Sequence, residues 1–181
     1  MPRSLLKPAA SFDEPLELLA ACHERIHDRL STLERLVPHL ASHGCSPDAR
    51  AAAANILRYF NTAAVHHHED EEHDLFPALL AAAPAEGRAA LQETIARLLD
   101  EHQRMFAAWA ALRADLEAIE AGSADTLNAE TVTAFCSLYR DHIRFEESNA
   151  FAPAAVLLDE ETRARLGKNM AGRRGVQIQA N

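Results

Sequence analysis

Four long stretches of this chain carry apolar residues at alternating steps of three and four, and each stripe is interrupted once by a histidine. The first reads Leu16, Leu19, His23, Ile26, Leu30, Leu33, Val37; the second Ala53, Leu57, Phe60, Ala64, His67, Glu71. The third reads Leu91, Ile95, Leu98, His102, Met105, Trp109, Leu112, Leu116, Ile119, and the fourth Val132, Phe135, Tyr139, His142, Glu146, Asn149. Such steps gather side chains on one face of an α-helix, and helices patterned this way pack at a shallow angle. The spacing predicts helices over about Asp13 to His43, Pro47 to Ala83, Ala85 to Ala121 and Asn128 to Ala150. Pro77 is expected to kink or interrupt the second. Short connections make sequential helices antiparallel, so the expected fold is all-α, an up-down-up-down antiparallel four-helix bundle over residues 13–158. Residues 1–12 read as an N-terminal extension. Residues 159–181 read as a short helix around Asp159 to Leu166 and a loose, glycine-containing tail.

Composition narrows the function classes. With 6 Gly and 8 Pro in 181 residues, 48% hydrophobic content and few β-branched residues, the chain favours helix over sheet. A formal charge of −9 argues against a nucleic-acid surface, and Arg173 and Arg174 alone do not make a basic patch. The N-terminal stretch lacks the apolar run of a signal peptide, and no segment of about 18 apolar residues suggests a membrane span. A cytoplasmic protein is expected, with homo-oligomerisation left open. Its three cysteines, Cys22, Cys45 and Cys136, show neither C-x-x-C spacing nor an even count, which points away from a disulfide framework or a zinc knuckle.

The chemistry sits in two copies of one pattern, His67-x-x-x-Glu71-Glu72-x-x-x-Phe76-Pro77 and His142-x-x-x-Glu146-Glu147-x-x-x-Phe151-x-Pro153. A His and a Glu four apart share one helical face, so each copy can aim an imidazole and a carboxylate at one point. Counting outward from the loops brings His23, His67, His102 and His142 to within about one turn of a common height. Six side chains then converge in one core layer: these four histidines with Glu71 and Glu146. Burying such groups is costly unless they are paired or hold a cation. The alternative is a hydrogen-bonded polar layer, which leaves two carboxylates in want of partners. Imidazole suits iron and zinc alike, but six donors exceed one tetrahedral zinc, and a mixed His and carboxylate set suits redox-active iron. Stripe position selects Glu71 and Glu146 over their neighbours Glu72 and Glu147.

In "CHERIH" around His23, "HHEDEEHDLFPAL" from His67 to Leu80, "DEHQRM" around His102 and "HIRFEE" from His142 to Glu147, the chain resembles the hemerythrin-like HHE cation-binding domains, over roughly Asp13 to Asp159. The resemblance implies a four-helix bundle holding two iron ions bridged by carboxylates and an oxo or hydroxo species. His23, His67, His102 and His142 would be terminal ligands, with Glu71 and Glu146 bridging. Hemerythrins carry a second histidine four residues after the one on the third helix, where this chain has Phe106; that leaves the set one imidazole short and one coordination position open. His27, four residues after His23, is a candidate replacement, against an outer or solvated role. Tyr139 reads as a core aromatic, with a hydrogen bond to the site as the alternative. His66, His68 and His73 read as surface residues, Cys22 as lying off the core face, and Met105 and Trp109 as core. Two function classes follow: a module that binds or senses dioxygen, nitric oxide or iron itself, or a diiron oxidoreductase acting on peroxide or a related small oxidant.

Overall fold

A computed structural model describes residues 11–177, and among them there are helices and no strands. Helix α1 (Pro15–His43) starts with proline in its first turn, where the missing N–H is not needed, and ends at Gly44, whose φ of 62° only glycine adopts without strain. Ser46 caps α2 (Pro47–Asn61) by accepting from the Ala49 amide at 3.2 Å. The chain then breaks at Thr62 and resumes as α3 (Ala63–Asp70). A five-residue π-helical turn follows (Glu71–Leu75), closed by the Phe76 amide donating to the Glu71 carbonyl, and α4 (Phe76–Ala82) continues the rod. Helix α5 spans Ala85–Ala121 and stops at Gly122 in the left-handed region. Asn128 caps α6 (Ala129–Glu146), which passes through a second π-turn (Glu147–Phe151) into α7 (Ala152–Leu157). Capped by Asp159, α8 (Glu160–Arg173) completes the described chain.

These elements form four rods: α1, then α2 to α4, then α5, then α6 with α7, each packed on its neighbours as an all-helical bundle. The stripe residues are the core; all nine on the third stripe are buried. Four features of the fold differ from the sequence expectations, the first being that the fourth rod runs on to Leu157 instead of ending near Ala150. The second rod is not one helix kinked at Pro77. Its breaks lie upstream, at Thr62 and in the first π-turn, and Pro77 sits two residues beyond that turn as Pro153 sits two beyond the second. A proline lacks the N–H for an ordinary helical bond and its ring crowds the carbonyl four residues back, so a π-turn just before it accommodates both defects. The C-terminal helix is longer than expected, reaching Arg173 instead of fading near Leu166, and it packs on α1, α3 and the first π-turn. Cys22, expected off the core face, is 4% exposed and accepts a hydrogen bond from Arg25 Nη2 at 2.9 Å.

The apolar core is divided. One cluster, with Leu33, Ile56, Leu112 and Phe135, fills one end of the bundle, and a second, with Leu19, Leu79, Leu98 and Met170, fills the other. Between them lies a layer of buried polar side chains.

Candidate metal centre

The layer contains all six residues singled out by the stripes. His23, His102, Glu71 and Glu146 are fully buried, and His67 and His142 are 1% and 2% exposed. The i, i+4 geometry acts within each copy of the pattern: His67 Nε2 stands 3.1 Å from Glu71 Oε1, and His142 Nε2 stands 3.5 Å from Glu146 Oε2. Across rods, His23 Nε2 is 3.2 Å from Glu146 Oε2 and 4.0 Å from Glu71 Oε1, while His102 Nε2 is 3.6 Å from Glu71 Oε2. The two carboxylates therefore lie between the imidazoles of all four rods.

An outer tier of acids orients three of these rings. Glu147 Oε1 accepts from His23 Nδ1 at 3.0 Å, Glu72 Oε1 from His102 Nδ1 at 2.7 Å, and Glu101 Oε2 from His142 Nδ1 at 2.9 Å. An ionised carboxylate only accepts, so each Nδ1 carries the hydrogen and each Nε2 presents a lone pair inward, the arrangement found around metal-bound histidines. This explains the doubled acids: in Glu71-Glu72 and Glu146-Glu147 the first faces in and the second grips a histidine from another rod. Glu101 was missed by the sequence reading because it serves His142 on α6 and not its own neighbour His102; no local spacing announces a contact between helices.

His68 is the main correction at the site. It is 2% exposed, not a surface residue, and its ring stacks on that of His102 with centroids 4.1 Å apart. It forms a cluster with Glu71 and His102 whose donor atoms lie within 4.8 Å of one another. Phe106, expected on the core side, is 38% exposed and meets the His68 ring edge-on at 5.3 Å. The position that lacks a histidine on the third rod is thus faced by a histidine from the second. His27 is half-buried and belongs to none of the clusters able to hold a cation. Tyr139 is buried, with its ring 6.2 Å from that of His68. His73 is exposed, and the half-buried His66 pairs with Glu69 at 3.2 Å.

The donor set calls for a cation. Both oxygens of Glu71, both of Glu146, His23 Nε2, His67 Nδ1 and His68 Nδ1 are buried without a hydrogen-bond partner among the described residues. His102 Nε2 and His142 Nε2 face each other at 3.2 Å, and with each Nδ1–H given to an acid this sets lone pair against lone pair. Protons are the alternative neutralisers, and the acidities register that demand. Burial, then the neighbouring Glu146 charge, pushes the Glu71 carboxyl well above the usual carboxylate range. Burial would lower His142, but the adjacent Glu146 carboxylate and the hydrogen-bonded Glu101 outweigh it and raise its pKa. Burial, then the nearby His23, holds His67 far below the ordinary imidazole value, and burial with His102 does the same to His68, so both stay in the neutral form that ligates. The groups able to hold a cation are His23, His67, Glu71 and Glu146; His68, Glu71 and His102; and His102, His142 and Glu146.

Comparison with known proteins agrees. Residues 14–154 match the model of the hemerythrin HHE cation binding domain. A protein of Haemophilus influenzae, described only as uncharacterized, is 32% identical over 168 residues, covering 93% of this chain and 94% of its own. No helix of the described residues is long and apolar enough to cross a membrane. With most of its length matched, its all-helical bundle and a buried His and Glu layer in the core, the chain belongs to the hemerythrin HHE cation-binding family.

Proposed function

We propose that the layer holds a pair of iron ions and that the protein binds or senses a small ligand, dioxygen or nitric oxide, at that pair. The observation that carries this reading is the sharing of Glu71 and Glu146. Both occur in the cluster with His23 and His67, and each occurs again with the opposite imidazoles, Glu71 with His68 and His102 and Glu146 with His102 and His142. Two carboxylates common to two sets of imidazoles would suit holding a pair of cations, whereas a tetrahedral zinc would leave about three of the seven donors unused.

His23 and His67 would serve one cation and His68, His102 and His142 the other. A ferrous pair in such a site supplies affinity for dioxygen or nitric oxide. The chain's own residues do the rest. Glu147, Glu72 and Glu101 fix the rings through Nδ1 and raise their donor strength. Phe151 stacks on His23 at 4.9 Å and Phe76 on His102 at 6.1 Å, and with the apolar clusters above and below they exclude water. With His68 counted, five imidazoles would face the pair without a histidine at position 106, which removes the structural ground for preferring turnover of an oxidant to binding. Protein produced with ample iron is expected to carry about two irons per chain and to give a stoichiometric spectral change with dioxygen or nitric oxide. One tetrahedral zinc per chain would overturn the diiron reading, and sustained steady-state consumption of peroxide would replace the binding role with the oxidoreductase one.

A further inference from the structure

Asp70 is fully buried, next in sequence to Glu71, and belongs to none of the cation-holding clusters. Its carboxylate is taken up by the last turn of α8. Arg173 Nη1 donates to Asp70 Oδ1, Arg174 Nη2 donates to Oδ2 at 2.6 Å, and Arg174 Nη1 donates to Oδ1 at 3.2 Å. Arg173 turns its other amino group to Asp74 Oδ2 at 2.6 Å, and Asn169 Nδ2 donates to Asp74 Oδ1 at 2.6 Å. Asn169 and Arg173 of α8, with Arg174 that caps it, thus grip two carboxylates, one just before the first π-turn and one inside it.

Among the described residues, the second copy of the pattern has no such clamp. Phe145 stands where Asp70 would be, and Asn149, where Asp74 would be, donates to the Phe145 carbonyl of its own helix at 2.7 Å. Helix α8 also lies beyond residues 14–154, the part matched by the family. A buried carboxylate stripped of its countercharges is strongly destabilising. If the arginines withdraw, Asp70 must reach water, and any backbone shift that hydrates Asp70 carries Glu71 with it.

We propose that Asp70, clamped by Arg173 and Arg174, is a positioning residue for Glu71, and that α8 thereby governs how long the centre retains its cations. The retention half of this rests on the cation reading given above; the positioning half does not. The test uses the full chain with Arg173→Gln/Arg174→Gln, and the triple variant that adds Asp70→Asn. In the cation-free protein, amide hydrogen exchange over Glu71–Leu75 is expected to quicken at least about tenfold in the double variant, with the second π-turn unchanged. Iron loss to a chelator should quicken by a similar factor. The triple variant is expected to return to within about threefold of the parent, because a neutral side chain at position 70 needs no countercharge. Exchange and iron loss at the parent rate in the double variant would overturn the proposal, as would faster exchange spread evenly over the bundle. A parent protein that binds no iron removes the cation reading, and the exchange comparison still decides whether Asp70 positions Glu71.

Discussion

His68 shows how far a residue's burial can depart from its position relative to a helical stripe. On an ideal helix it lies about 100° round from His67, off the stripe, which is why the pattern assigned it to the surface. Both are nevertheless buried, on the short helix α3 that begins after the break at Thr62. The expected outcome is that His68→Ala lowers iron content or weakens retention at least about tenfold, while Phe106→His changes little, since that side chain is part-exposed and His68 already faces the gap. Metal analysis of both variants checks this. Loss of iron from neither would mean that His68 only packs, and a gain of affinity in Phe106→His would show the position still open. That the six stripe residues share one buried layer was legible because the helical period and the i, i+4 spacing are written along the chain. Glu72, Glu101 and Glu147 were not, because their partners lie on other rods and nothing in their own spacing marks those contacts.

The elements carry the registers that the residues depend on. Helix α5 could be placed from its apolar period and Gly122, and the first helix from Pro15 and Gly44, because caps and periods are written along the chain. The π-turns were not legible: Pro77 signalled a disturbance but not that an extra residue would be absorbed upstream, where the pattern's acids sit. The length of α8 was misread for a related reason. Gly167 looks like a breaker in sequence, yet here its missing side chain permits contact; a Cβ added at Gly167 would lie 1.8 Å from the Phe12 carbonyl oxygen. Gly167→Ala is therefore expected to force α8 away from the segment around Phe12 and to cost about 1–3 kcal/mol, as overpacking does. Thermal unfolding followed by circular dichroism measures it. A melting temperature equal to the parent's would show that this approach relaxes freely and that Gly167 serves only the helix's length.

At the scale of the molecule, the polar layer divides the hydrophobic core and does not found it. The cluster holding Leu33, Ile56, Leu112 and Phe135 and the cluster holding Leu19, Leu79, Leu98 and Met170 each draw on several rods, so each end of the bundle has its own reason to stay folded. The layer between them, with both carboxylates of Glu71 and Glu146 unpartnered, is where the cation-free chain is least satisfied. A cation that binds only the folded protein adds RT ln(1 + [L]/Kd), about 2.7 kcal/mol at a hundredfold excess over Kd. In a domain of this size that corresponds to roughly 5–10 °C in melting temperature. Chelation is expected to lower the melting temperature by that amount while the far-ultraviolet helical signal at 25 °C persists, and amide exchange should quicken first around His67 to Glu71 and His142 to Glu146. Complete loss of helix on chelation would mean that the cations nucleate the fold, as in small metal-dependent domains, and that the two apolar clusters cannot stand without the layer between them.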